Sequence, residues 1–274
     1  MITNKTYGMD NDVLAYNARI IAGGNQSLSM QSLRQLNQFV IEIKKIGIWD
    51  DMVCWPMRQP HNAGSGTTVY SLGGFAKSAF NGSITNNGIW TPNGILLDPN
   101  LSSTIDVSNF IINDLIQGPN FIAFFTPIGT ATNVSSEFFA MRYSSTDSTV
   151  YGHRSTGGTG QVAFNYFRSD AIRNYANGAA TASMLNIPNC IAYSRANVSI
   201  TTILDTTRFG ATTPISASLT RTSPSTLSIL TRNNSTSTTL FDFVAIFNSY
   251  NTFSNRELLK SIFKKTLGQN VNYI

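Results

Sequence analysis

Apolar positions change their period twice along this chain. Leu33, Leu36, Phe39, Val40, Ile43 and Ile46 recur at three- and four-residue intervals, which predicts one helix, capped by Ser29 and ended by Gly47. A shorter helix from Val13 to Ala22 can be capped by Asp12, and it stops at Gly23-Gly24. An apolar stripe of this kind has to be buried, most simply on a sheet of the same domain, with docking on a partner as the alternative.

From about residue 49 to 253 the pattern becomes one of short β-like runs. They include Thr67–Ser71, Gly94–Leu97, Phe121–Phe125, Phe138–Tyr143, Gln161–Phe167, Ala196–Thr202 and Phe241–Phe247. Turn clusters separate them, among them Asn86-Asn-Gly88, Pro92-Asn-Gly94, Thr156-Gly-Gly-Thr-Gly160 and Thr231-Arg-Asn-Asn-Ser235. A dozen or so strands without helices between them predict a mainly β protein built as an antiparallel β-sandwich. The helical period returns at Ser254-Asn-Arg-Glu257, a capping box that opens a helix carrying Leu258, Leu259, Ile262 and Phe263. The expected organisation is a helical leader over residues 1–48, a sandwich over 49–253, and a C-terminal helix and tail over 254–274, all in one globular unit.

Composition strengthens the β reading. Charged residues make up only 12% of the chain, while 28 Asn, 30 Ser and 30 Thr supply nearly a third of it. These small polar side chains favour turns and the solvent face of strands and dilute helices. Phe121–Phe125 and Phe243–Phe247, the longest apolar runs, fall far short of the roughly 20 residues that span a bilayer. The N-terminus lacks the apolar core of a signal peptide, so synthesis and folding in a cytosol are expected, with no membrane partner. Net charge is +5, but the basic residues are scattered apart from Lys44-Lys45 and Lys264-Lys265. Each pair falls in the last turn of an expected helix and meets the negative end of its dipole, so no nucleic-acid partner is expected. Cys54 and Cys190 read as buried free thiols.

Several of these segments also resemble one family. Ala18-Arg-Ile-Ile-Ala-Gly-Gly24, Ser27-Leu-Ser29, Phe39-Val-Ile-Glu-Ile-Lys-Lys45 and Gly47-Ile-Trp-Asp50 resemble the leader of tailed-bacteriophage virion proteins. In those proteins a concanavalin A-like or laminin-G-like sandwich follows. The resemblance continues through Leu72-Gly-Gly-Phe75, Ala79-Phe-Asn-Gly82 and Gly88-Ile-Trp90, and returns at Phe241–Phe247 and Phe253-Ser-Asn-Arg-Glu-Leu258. It implies a jelly roll of the lectin and glucanase type, with N-terminal helices and a C-terminal helix around it. Trp49 and Trp55 read as wedges between the leader and the sheet rather than as sugar platforms.

Little in the sequence supports catalysis. Glycoside hydrolysis needs two carboxylates about 5–10 Å apart. Of the three glutamates, Glu42 and Glu257 sit on expected helices and Glu137 has no second acid beside it, while Asp242 stands on a strand without an acidic neighbour. His61 and His153, the only histidines, read as surface-loop residues, His153 at a hairpin tip, with neither a nucleophile elbow nor a zinc spacing near them. No glycine-rich segment fits a phosphate loop. No cofactor is expected. Calcium, used by many laminin-G-like sandwiches, has only Asp50-Asp51 and the widely spaced Asp98, Asp106 and Asp114 to draw on, with backbone carbonyls.

Two functions fit. The first, implied by the resemblance, is a non-enzymatic virion structural protein, assembled in the host cytoplasm. It would be a capsid decoration or cement protein, or a tail protein, docking on the major capsid or tail protein as a homo-oligomer. The alternative is a carbohydrate-binding adhesin recognising a host-surface polysaccharide. Its candidate residues are Trp90 as a stacking ring, His153 and Arg154, and Asn174 and Tyr175 within Asn174-Tyr-Ala-Asn177.

Overall fold

The computed structural model describes residues 8–75, 80–110, 120–129, 136–142, 148–156, 159–167, 173–179, 191–196, 199–204, 209–214, 225–232, 239–247 and 253–267. Three helices, α1 (Asn11–Ala22), α2 (Met30–Lys45) and α3 (Phe253–Leu267), accompany sixteen strands. The first strands are β1 (Met52–Pro56), β2 (Thr68–Val69), β3 (Gly82–Thr85), β4 (Ile89–Thr91), β5 (Gly94–Leu97), β6 (Thr104–Phe110), β7 (Asn120–Gly129) and β8 (Ser136–Arg142). They are followed by β9 (Ser148–Thr156), β10 (Thr159–Phe167), β11 (Arg173–Ala179), β12 (Ile191–Ala196), β13 (Ser199–Leu204), β14 (Phe209–Pro214), β15 (Ser225–Arg232) and β16 (Thr239–Phe247).

The strands form two antiparallel eight-stranded sheets. The first runs β14-β13-β12-β7-β16-β5-β4 with β1 also on β16, and the second runs β11-β10-β9-β8-β15-β6-β3-β2. This is the mainly β, antiparallel arrangement that the alternating pattern predicts. The chain changes sheet twice in close succession. Between β3 and β4 it turns through Asn86 and Asn87, both at positive φ, which asparagine tolerates better than most residues. Between β5 and β6 it passes a short 3₁₀ turn, Pro99–Leu101. The two crossings are tied together: Asn86 Nδ2 donates to the Ser102 carbonyl at 3.0 Å, and the Ser103 hydroxyl donates to the Asn86 carbonyl.

The leader is part of the core. Val13, Tyr16 and Ile20 of α1 and Leu33, Leu36, Phe39, Val40 and Ile43 of α2 are buried with Leu259, Ile262, Phe263 and Leu267 of α3, against Met52, Cys54, Phe243 and Ala245 of the first sheet. Phe39, Phe243 and Phe263 form a ring trio, with centroids 4.8–6.0 Å apart. Lys44 joins the end of α2 to the start of α1, with Nζ 2.7 Å from Asp10 Oδ1 and 2.8 Å from Asp12 Oδ2. The double glycine after α1 has a steric cause. A Cβ on Gly23 would collide with the Tyr70 hydroxyl, and Gly24 sits at φ +85°.

Several expectations need correction. Asp10 caps α1, not Asp12: its carboxylate accepts from the Asp12 amide at 2.9 Å. Helix α3 begins at Phe253, ahead of Ser254. The run Ala196–Thr202 is not one strand, because β12 ends at Ala196 and β13 starts at Ser199, with those two residues paired across the turn. Asp106 lies inside β6 rather than in a loop. Trp49 is buried in the helix–sheet core as expected, but Trp55 of β1 pairs with Val244 and donates from Nε1 to the Phe80 carbonyl at 2.7 Å, linking the first sheet to the entry of β3 in the second. Cys54 is a buried free thiol, and Cys190 lies outside the described residues. Among the described residues no helix is long and apolar enough to cross a membrane.

Candidate functional site

The connection from α1 to α2 and the segment after β1 face each other across an open cleft of about 560 Å³. One wall is Gly24, Asn25, Gln26, Ser27, Leu28 and Ser29, joined by Ser32. The other is Gln59, Pro60, Asn62, Ala63, Gly64 and Ser65. Both walls are irregular backbone for local reasons. Gly23-Gly24 breaks one helix and Ser29 opens the next, its hydroxyl accepting from the Ser32 amide at 3.1 Å. Opposite, Pro60 sits within a 3₁₀ turn, Gln59–His61, and Gly64 takes φ +69°.

A single buried amide fixes the second wall. Asn62 Nδ2 donates to the carbonyls of Pro56 and Tyr70 at 2.7 and 2.9 Å, while its Oδ1 accepts from the amides of Ala63 and Tyr70. That side chain holds the loop and has no capacity left for a ligand. Ser65 Oγ donates to Asn25 Oδ1 at 3.0 Å and joins the walls at the rim.

Trp90 stands beside this loop. It is half-buried on β4, and its Nε1 donates to the carbonyl of Gly66, next in the chain to the rim residue Ser65, at 2.9 Å. Its neighbour Ile89 is 57% exposed. The other candidate residues lie elsewhere. His153 and Arg154 fall within β9, not at a hairpin tip, since Thr156 and Thr159 close that hairpin. Asn174 and Tyr175 lie within β11. In the β9-β10-β11 ladder His153 is level with Val162 and Tyr175 with Asn165, three residues apart on β10, so the two positions fall on opposite faces. The ladder places Arg154 and Tyr175 on one face and His153 and Asn174 on the other. Trp90, on the first sheet, is not part of that set.

Below the cleft lies a buried polar cluster. His61 is buried, contrary to its expected place on the surface. Its Nε2 is 2.9 Å from Gln35 Oε1, its carbonyl accepts from Tyr16 Oη at 2.9 Å, and burial with the nearby Arg58 charge pulls its pKa down to about 4. Arg58 Nη2 meets Asp242 Oδ2 at 3.0 Å. Burial pushes the Asp242 carboxyl up to about 7 against the pull of Arg58. Asp242 is the one carboxylate among these groups, so they form no carboxylate pair.

Among the described residues no three His, Cys, Asp or Glu side chains gather as a metal site. Asp98 Oδ1 accepts the Asn100 amide and Asp106 Oδ1 the Ser228 hydroxyl, while Asp114 lies outside the described residues. The carboxyl of Asp51 is raised by burial and by the Asp50 charge. The amide-lined cleft itself was not legible in the sequence, because its residues are common Asn, Gln, Ser and Gly types without a spacing rule.

No protein-family description and no curated protein matches this chain. Solved structures do. The binding domain of botulinum neurotoxin DC in complex with rat synaptotagmin II superposes with a TM-score of 0.58 at 12% identity, over 79% of this chain and 52% of that one. A botulinum neurotoxin type C structure, described by cell entry dependent upon interaction with two ganglioside molecules, gives 0.55 at 10% identity over 78% and 52%. The neurotoxin DC binding domain in complex with SialylT gives 0.55 at 12% identity over the same shares. The chain thus spans about half the length of these structures, and the likeness is one of fold. These neighbours are receptor-binding domains rather than virion components.

Proposed function

We propose that this chain is a non-enzymatic carbohydrate-binding module, an adhesin that recognises a host-surface glycan, on a jelly-roll sandwich of the lectin type. The observation that carries the reading is the open cleft of about 560 Å³, walled by amides and hydroxyls. Its size falls in the roughly 300–1,000 Å³ range of small-molecule sites. Sugars are bound through many hydroxyls that each donate and accept, which matches carboxamides and serines better than it matches any acid–base pair. The fold neighbours support the same class: one is described with two gangliosides and another in complex with SialylT. The test is binding of labelled full-length protein to a broad glycan array, with free sugar as competitor. Saturable, competed signal is expected, and an array without signal would overturn the proposal.

Attachment to a bacteriophage particle is the second reading, favoured by the Ala18–Gly24 and Gly47–Asp50 segments that resemble virion proteins. The buried α1 and α2 stripes leave docking to the outer faces and loops. Quantitative mass spectrometry of purified particles decides it: hundreds of copies would mark a capsid decoration, a few a tail or vertex protein, and none would remove the virion from consideration.

A further inference from the structure

We infer that the cleft takes an uncharged terminal pyranose, a neutral hexose or N-acetylhexosamine, and not a sialylated or sulfated sugar. The inference rests on the carbohydrate-binding reading above and specifies its ligand.

The lining offers both surfaces that a neutral sugar needs. Leu28, Pro60 and Ala63 are apolar and can meet the C–H face of a ring. Polar capacity is left over on both walls. The exposed Gln26 carboxamide makes no hydrogen bond among the described residues, so two donors and an acceptor are available. Among the described residues Gln59 commits Nε2 alone, donating to the Gly64 carbonyl at 3.3 Å, which leaves Oε1 as an acceptor. Ser27 is exposed on the same wall as Gln26.

Among the described residues the lining holds no Lys, Arg, Asp, Glu or His. Of the cations close to it in the chain, Arg34 is exposed but stands about 200° round α2 from Ser32 and is not among the lining residues, and two others are spent. Arg58, next to Gln59, is held by Asp242 and by the Leu267 carbonyl, and His61, next to Pro60, is buried against Gln35. The positive end of α2 reaches this wall, but Ser29 already caps it through the Ser32 amide. A sugar carboxylate or sulfate entering the cleft would lose water without gaining a counter-charge. A neutral hydroxyl exchanges water for an amide and loses little.

The experiment pairs each neutral glycan on the array with its sialylated and sulfated forms. The best neutral glycan is then titrated by calorimetry into the wild-type chain, Gln26→Ala and Gln59→Ala, at low and high salt. Expected are at least about tenfold tighter binding of the neutral form, an affinity that salt does not change, and a loss of about tenfold in each variant. Both side chains are exposed, so the variants keep the fold, which circular dichroism verifies. Preference for the charged form, salt-sensitive affinity, or wild-type binding by both variants would overturn the assignment while leaving glycan binding intact. Silence of the whole array would instead remove the reading on which it rests.

Discussion

Arg58 reaches Asp242 at the point where β16 changes partner. Residues Thr239–Phe241 of β16 pair with β5 and Phe243–Phe247 pair with β1, so Asp242 stands at the seam. The Met57 amide donates to the Asp242 carbonyl at 2.9 Å, and Arg58 Nη2 meets its carboxylate at 3.0 Å. From the same guanidinium, Nη1 donates to the Leu267 carbonyl at the end of α3, also at 3.0 Å. One side chain thus ties the exit of β1 to the last helix and to the seam.

Breaking this pair from one side leaves a buried charge. Arg58→Ala is expected to cost about 3–5 kcal/mol, as for other buried pairs that lose one partner. Asp242→Asn, which keeps the shape and an acceptor, is expected to cost less. Urea denaturation of both variants checks the order.

Asp242 and His61 set opposite pH slopes. Asp242 has a folded pKa near 7, above its ordinary 3.8, so its contribution is present at low pH and is lost as pH rises through 7. His61 has a folded pKa near 4, below its ordinary 6.5, so its contribution is present above 6.5 and is lost as pH falls toward 4. Between these limits the contributions of the two nearly cancel. Asp242→Asn should expose the histidine slope, a rise of about 3 kcal/mol between pH 4 and 6.5, measured by urea unfolding at both ends.

Phe39 is the contact between the leader and the final segments, touching Phe243 of β16 and Phe263 of α3. Phe39→Ala should cost about 3–5 kcal/mol. Hydrogen exchange should show faster exchange in α2 and α3 before the sheets are affected.

Gly94 has φ +148°, and a Cβ there would run into the Phe241 carbonyl. Gly94→Ala should therefore destabilise the fold by more than the roughly 0.5–1 kcal/mol scale of ordinary Gly/Ala exchanges and lower the melting temperature. Differential scanning calorimetry provides the readout.

The helices were legible because burial imposes a period on them: the α2 stripe, Leu33 to Ile43, is buried residue for residue. So was β5, which follows the Pro92-Asn-Gly94 turn cluster and spans the expected Gly94–Leu97. β1 was not, since all five of its residues are buried and it has no alternation to read. The break between β12 and β13 was missed because no glycine stands between Ala196 and Ser199 in the sequence to mark it. His61 was misplaced for a different reason. Its loop is polar in sequence, but Tyr16 and Gln35, far away in the chain, cover it. Of the candidate site residues only Trp90 adjoins the cleft, through Gly66, and no spacing rule foretells which loops the fold brings together.

Arg58 and Asp242 are 184 residues apart, and among the described strands β1 pairs with β16, with Leu72 adding an isolated bridge to Cys54. On a ribosome, then, the leader helices and β1 emerge long before β16 and α3, which complete the surface they pack on. Their apolar stripe waits through the synthesis of the whole β region, exposed to chaperones or to other chains. Closure of the domain is consequently a late event, set by the arrival of β16 and α3 rather than by local propensity at the start.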